Sequence, residues 1–237
     1  MPKRLSESLP IVLVPGLNCS ARLYGEQIPA LWPFGPVAVA DHARDDSMSA
    51  IARRILAAAP PRFALAGLSM GGYIAFEIMR QAAARVARLA LLDTAARPET
   101  AEQTKARLPR IALAESGHFA EETDVQFPKL VHRSRHGDTA LKDLVRAMAE
   151  ETGSDAFLRQ MQAVMGRADS RPGLSAISCP TLVLVGDGDE LTPPPLAQEI
   201  AGGISGARLA VIPQCGHLST LERPAAVNAA LAEWMTA

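Results

Sequence analysis

The sequence predicts an α/β fold: a doubly wound, mostly parallel sheet of about six strands carrying an inserted helical segment. Three observations predict it. Short runs rich in Val, Ile, Leu and Ala recur without alternating apolar and polar positions, as expected of parallel strands covered on both faces. Helix-like segments separate these runs, giving the rhythm of a doubly wound sheet. One connection, residues 96–175, shows no strand-like run and is far too long for a crossover loop.

In chain order, the strand-like runs are Pro10–Val14, Pro36–Ala40, Arg62–Gly67, Arg88–Asp93, Thr181–Gly186 and Ala207–Pro213. The helix-like segments are Ala21–Leu31, Met48–Ala58, Met70–Ala84, Pro195–Ala201 and Ala225–Met235. The long connection is charged, helical in pattern, and interrupted at Pro109, Gly117, Pro128, Gly137, Gly153 and Gly166. No repeat or low-complexity linker divides the chain. We therefore expect one core, residues 1–95 and 176–237, with 96–175 resting as a helical insertion on the C-terminal edge of the strands.

The 237 residues suffice for one sizeable core with an inserted subdomain. A formal net charge of −1 gives no electrostatic reason to expect nucleic acid or an anionic membrane as partner. The opening stretch "MPKRLSESLP" has no apolar h-region, so neither a signal peptide nor a membrane span is expected. Cys19, Cys179 and Cys215 lie far apart without metal-type spacing, which fits a reducing, cytoplasmic compartment. They are expected as small core hydrophobes; a pocket-lining position is the alternative for Cys19 and Cys215.

The chemistry begins at Gly67-Leu68-Ser69-Met70-Gly71-Gly72, between a strand-like and a helix-like run. A sharp strand-to-helix turn strains its central residue and brings the flanking positions close together, which explains Gly67 and Gly71, while Gly72 allows the helix to approach the sheet. The turn exposes the Ser69 hydroxyl beyond the carboxyl ends of the strands, where α/β sheets bind ligands. It also aims the Met70 N–H at the same space.

A serine hydroxyl needs a base, normally a histidine oriented by a carboxylate. His42 falls in a polar loop, and His118, His132 and His136 fall in the insertion. His217, in "VIPQCGHLSTLERP", follows the last strand and reaches the same sheet edge as Ser69. "TLVLVGDGDELTP" supplies Asp187, Asp189 and Glu190 after the fifth strand, and Asp93 ends the fourth. Asp189 is preferred, then Asp93, then Asp187. A second oxyanion donor besides Met70 is expected in "VLVPGLNCS", where Gly16 permits a tight turn: the Leu17 N–H first, Asn18 second.

These features together resemble the α/β-hydrolase family: the turn after the first strand, the G-x-S-x-G-G elbow, G-x-x-D, then Gly-His, in the order Ser, Asp, His. Within that family the chain resembles small capped esterases such as the pimeloyl-carrier-protein methyl ester esterase group. The resemblance implies that Ser69 is the nucleophile, Asp189 the acid, His217 the base, Met70 and Leu17 the oxyanion donors, and 96–175 a cap. The family usually has His-Gly where this chain has Pro15-Gly16, which removes a histidine from behind the oxyanion turn and leaves the backbone donor. The expected activity is that of a serine hydrolase cleaving a small-molecule carboxylic ester, with no metal or organic cofactor. Thioesterase, lactonase, perhydrolase and carbon–carbon bond hydrolase chemistry use the same machinery, and a ligand-binding signalling protein would share the fold. In the insertion, Phe119, Phe127 and Phe157 are read first as core residues and second as an acyl pocket. The basic run Lys129–Gly137 is read first as a solvated face and second as a greeting for an anionic substrate.

Overall fold

The computed structural model describes residues 8–237. The expectation that the chain opens without a leader falls largely on residues 1–7, outside the described residues. Six strands form one sheet: β1 (Ile11–Val14), β2 (Val37–Val39), β3 (Phe63–Leu68), β4 (Val86–Leu92), β5 (Thr181–Gly186) and β6 (Arg208–Ile212), in the order β2-β1-β3-β4-β5-β6. Every neighbouring pair is parallel.

Alternate side chains of the central strands enter two separate cores. Ile11, Leu13, Ala64, Ala66, Leu182 and Leu184 pack with Leu23, Tyr24 and Leu31 and with the helix Pro224–Thr236 through Val227, Leu231 and Trp234. Val12, Val14, Leu65, Leu89, Val183 and Val185 face helices α2 (Met48–Ala58), α3 (Met70–Ala82) and α8 (Pro194–Gly203). Burial on both faces is why these strands read as continuous apolar runs. The chain winds from β1 outward to β2, then crosses back to β3 on the other side. The loops after β1 and β3 thus leave adjacent strands at the point where the order reverses, where a crevice opens.

Between β4 and β5 run α4 (Ala101–Glu115), α5 (Phe119–Leu130), α6 (Thr139–Thr152) and α7 (Ser154–Met165). Gly117 and Gly153 separate successive helices, Gly137 precedes α6 and Gly166 follows α7, as expected. The two prolines do not break the chain: Pro109 and Pro128 lie inside α4 and α5. Both are exposed, and each forgoes the one helical hydrogen bond its missing N–H would have made. Residues 21–31 also differ from the single helix expected. A 3₁₀ turn over Ala21–Tyr24 stops at Gly25, and α1 is only Gln27–Leu31.

Candidate active site

The elbow between β3 and α3 has the strain its glycines suggest. Ser69 adopts φ 55° and ψ −115°, outside the ordinary regions for an L-residue. A Cβ on Gly67 would strike the Gly71 carbonyl, and one on Gly71 would strike the Val14 carbonyl of β1. Neither backbone group can yield, so only glycine allows β1, β3 and α3 to meet this closely. Thr94, just past β4, locks the turn by donating its hydroxyl to the Ser69 carbonyl at 2.8 Å.

Two loops at the same sheet edge bring a histidine and a carboxylate to Ser69. His217 Nε2 lies 2.8 Å from Ser69 Oγ, and His217 Nδ1 lies 2.8 Å from Asp189 Oδ2. Asp189 Oδ1 accepts the N–H groups of Leu191 and Thr192 at 2.9 and 3.0 Å, and Oδ2 accepts the Thr192 hydroxyl at 2.7 Å. With the carboxylate acting only as acceptor, Nδ1 carries the imidazole proton and Nε2 faces the serine hydroxyl as acceptor. The acid and histidine loops are fastened together. Gly188 N–H donates to the Cys215 carbonyl at 2.8 Å, and Cys215 N–H donates to Asp187 Oδ1 at 3.1 Å. From the insertion, the Leu130 carbonyl accepts the N–H groups of both His217 and Leu218 at 3.1 Å.

The three rival acids are thereby separated. Asp187 holds loop backbone. Asp93 is buried and accepts from the Gly186 N–H at 3.0 Å and from the Ser219 hydroxyl, so neither of its oxygens reaches the imidazole. Burial, followed by the neighbouring Asp189 charge, holds the Asp93 carboxyl well above the usual carboxylate range. Burial alone would also raise Asp189, but the charge and hydrogen bond of His217 outweigh it and hold Asp189 low. Burial alone would depress His217; the charge and hydrogen bond of Asp189, with the charges of Asp93 and Glu222, outweigh burial and raise it.

The turn after β1 lies against the serine: a Cβ on Gly16 would sit 3.5 Å from Ser69 Cβ. That is ordinary contact, so Gly16 is not forced to be glycine by its surroundings; the positive φ falls at Asn18, at 59°. The Asn18 N–H donates to Gln160 Oε1 of α7 at 2.8 Å, while among the described residues the Leu17 and Met70 N–H groups donate to no protein acceptor. Behind this turn, His42 Nε2 lies 2.9 Å from the Gly16 carbonyl. A carbonyl can only accept, so Nε2 carries the proton there. The Gln160 amide nitrogen, 3.3 Å from the same Nε2, therefore touches it without a hydrogen bond. Burial depresses His42, which keeps it neutral. His42, expected in a polar loop, thus backs the turn in place of the histidine absent at Pro15.

A cavity of about 380 Å³ opens over Ser69, His217 and Leu17, bounded on the far side by α4 and α5. Cys19 lines it and Cys215 does not; burial pushes the Cys19 thiol up to about 12. Phe119, Phe127 and Phe157 are absent from its wall. Phe127 packs with Val131, Leu141 and Val145, and the rings of Phe119 and Phe157 meet at 5.2 Å beside Met161. Of the basic run, only Lys129 and Leu130 reach the cavity, and Arg135 is paired with Asp138 at 2.7 Å. The sequence reading did not single out Thr94, Thr192, Gln160 or the arginines of the cavity wall. Thr192 alone carried a signal, three residues after Asp189 in an acidic turn. Among the described residues, no three His, Cys, Asp or Glu side chains gather as metal ligands would, and no helix is long and apolar enough to cross a membrane.

A parallel sheet with a strained serine turn at its switch point, and acid and histidine loops from later strands, defines a hydrolase-type α/β architecture. A model of the alpha/beta hydrolase family matches residues 11–230, and the chain belongs to that family. It is 24% identical over 236 residues to a pimeloyl–acyl-carrier-protein methyl ester esterase of Neisseria meningitidis, spanning 92% of this chain and 90% of that protein. A thermophilic esterase from Thermogutta terrifontis superposes with a TM-score of 0.85 at 30% identity, over 96% of this chain and 89% of that one. The enol-lactonase of Burkholderia xenovorans shares the fold with a TM-score of 0.86 at 23% identity, over 99% and 94%. The chain is an enzyme of the hydrolase class.

Proposed function

We propose that this chain hydrolyses a small-molecule carboxylic ester through an acyl-enzyme on Ser69. The observation that carries the reading is the hydrogen-bonded line Ser69–His217–Asp189 facing a cavity with two uncommitted amides, Leu17 and Met70. In this reading Ser69 Oγ attacks the ester carbonyl as His217 Nε2 takes its proton. The carbonyl oxygen, now negative, is met by the Leu17 and Met70 N–H groups at the positive end of α3. Collapse expels the alcohol, which receives the proton from His217. Water then attacks the acyl group, again deprotonated at Nε2, and releases the acid and free Ser69. Asp189 keeps Nδ1 protonated and offsets the imidazolium charge. These steps call for no cofactor.

Residues 96–175 act in this reading as a cap over a core of 1–95 and 176–237, supported by the contribution of α4, α5 and α7 to the cavity and its turn. A cytoplasmic site of action accords with three free cysteines. Labelling with a serine-directed fluorophosphonate, followed by peptide mapping, tests the reading together with turnover of p-nitrophenyl esters of graded acyl length. Modification at Ser69 and its loss in Ser69→Ala are expected. Equal labelling of Ser69→Ala would exclude it.

A further inference from the structure

The cavity wall opposite Ser69 is built unlike the wall beside it. On the core side, Leu17, Met70, Tyr73, Leu191 and Leu218 present apolar surface. Across from them, α4 turns Gln103, Arg107 and Arg110 toward the cavity at helical spacing, and α5 turns Thr123 and Lys129 toward it.

Positive charge there exceeds negative. The guanidiniums of Arg107 and Arg167 share the single carboxylate of Glu99, the Arg107 contact at 2.6 Å. Arg110 pairs with buried Glu122 at 2.6 Å, and Arg97 turns to Glu199 at 3.0 Å. Lys129 forms no ion pair among the described residues. Five cations line the cavity against these three carboxylates, leaving two positive charges uncompensated. Burial depresses Arg107 and Arg110, yet a guanidinium stays charged at any physiological pH. Arg167 spends its donors on Glu99, Gln103 and the carbonyls of Arg97 and Val164. Arg107 directs Nε and Nη2 at Glu99 and only a weak Nη1 contact at the Met161 sulfur, 3.7 Å away. Arg110 binds Glu122 through Nε and Nη2, leaving Nη1 without a protein acceptor.

A second observation points the same way. Thr123 Oγ1, on the α5 stripe lining the cavity, is buried and has no hydrogen-bond partner. Buried hydroxyls are rarely left unsatisfied. A hydroxyl donor beside a cationic surplus suits an oxygen anion.

We infer that the cap side of this cavity is a carboxylate subsite, and that the substrate is an ester bearing a separate carboxylate, held by Arg107 and Arg110 with Thr123 and Lys129. The inference rests on the reading of Ser69 as nucleophile. The apolar core-side wall takes the hydrocarbon between the reacting carbonyl and the anion. A carboxylate arriving here offsets one of the two uncompensated charges and meets guanidinium donors that already stand in place.

Two matched ester pairs test it, each rate normalised to hydrolysis by hydroxide. Mono-p-nitrophenyl adipate and p-nitrophenyl hexanoate differ only by carboxylate for methyl at the end of the acyl chain. The hexanoates of 4-hydroxybenzoate and 4-methylphenol place the same difference on the alcohol. In at least one pair the charged member should show a kcat/KM higher by about tenfold or more, the size of one charge-assisted hydrogen bond. Arg107→Gln should bring that ratio toward unity, mainly through KM for the charged ester. Because Arg107 also braces Glu99, the wild-type enzyme supplies a second measurement: its preference should narrow as NaCl is raised. No charge preference in either pair, or a preference untouched by both Arg107→Gln and salt, overturns the subsite while leaving the Ser69 reading standing. An enzyme that turns over none of the four esters and resists fluorophosphonate at Ser69 fails at the earlier step, and the subsite falls with it.

Discussion

The side-chain carbonyl of Gln160, fully buried on α7, accepts the backbone N–H of Asn18 in the turn after β1 at 2.8 Å. Together with His42 on the Gly16 carbonyl, it fixes both edges of the turn that presents the Leu17 N–H to the cavity. Gln160→Ala leaves a donor unpaired and the turn free to rotate. We expect kcat to fall by about 10- to 100-fold, less than the loss of an oxyanion donor itself, with KM little changed. Gln160→Glu keeps an acceptor oxygen and should recover part of the loss. Steady-state kinetics on one p-nitrophenyl ester checks both variants; an unchanged kcat in Gln160→Ala would separate this contact from the chemistry.

The acid limb of the pH profile should lie above the ordinary histidine value of about 6.5. His217 must be neutral to accept the Ser69 proton. The groups facing it are Asp189, Asp93, Glu222, Ser69 and Thr192, and their summed effect raises its affinity for a proton. A raised value means that activity is already falling as pH drops through it, with more enzyme in the inactive imidazolium form. Replacing Asp189 by Asn removes the largest stabilising charge, so the limb should move to lower pH. A kcat/KM profile flat down to pH 5 on a non-activated ester would count against a histidine base.

Gly71→Ala should unfold the elbow where Gly16→Ala does not unfold its turn. The added methyl at 71 meets a strand carbonyl on β1, whereas at 16 its nearest neighbours stand at 3.5 Å. We expect Gly71→Ala to destabilise by about 3 kcal/mol or more, at or above the usual range for overpacking, and Gly16→Ala by about 0.5 kcal/mol or less. Thermal or urea unfolding followed by circular dichroism reads both. Equal stabilities would mean that the backbone around Ser69 is looser than its contacts imply.

The legible parts of this molecule are those governed by local rules. Unbroken apolar runs located all six strands, the four central ones because both sheet faces are covered there, and Gly-x-Ser-x-Gly located the elbow because backbone crowding there tolerates no Cβ. Asp189 could be ranked above Asp93 by position, but the two bonds that hold the Asp93 carboxylate, to Gly186 and Ser219, join residues 93 and 126 positions apart. Gln160 is 142 residues from Asn18 and sits in a helix with no distinguishing motif, so no local signal announced it. The prolines misled for the opposite reason: a local rule has proline end a helix, yet Pro109 and Pro128 lie inside α4 and α5. The phenylalanines of the insertion packed its interior, and the cavity-facing stripes of α4 and α5 turned out polar and cationic.

The last expectation separates the three carboxylates at the sheet edge. Asp189→Asn presents an amide where Nδ1 needs an acceptor. The amide oxygen can be taken up by the Leu191 and Thr192 N–H groups, which turns the NH₂ toward His217 and favours the tautomer with its proton on Nε2. That imidazole cannot accept from Ser69, and kcat should drop on the order of 10⁴-fold, as in the serine-protease template. Asp187→Asn retains an oxygen for the Cys215 N–H, and the side chain touches no reacting group, so kcat should stay within about tenfold, or 1.4 kcal/mol of barrier. Asp93 is subtler. Burial and the neighbouring Asp189 charge hold its carboxyl well above the usual range, and its two oxygens bridge Gly186 and Ser219. An amide of the same shape can keep one bridge by accepting, and neither bridge runs to Ser69 or His217, so Asp93→Asn should also stay within about tenfold. It should, however, cost folding stability by about 1–3 kcal/mol through the imperfectly matched buried group. Measuring kcat and unfolding free energy for all three variants therefore sorts the residues on two axes. A crippled Asp93→Asn beside a mild Asp189→Asn would transfer the acid's role to the end of β4, against the hydrogen bonds that now join Asp189 to His217.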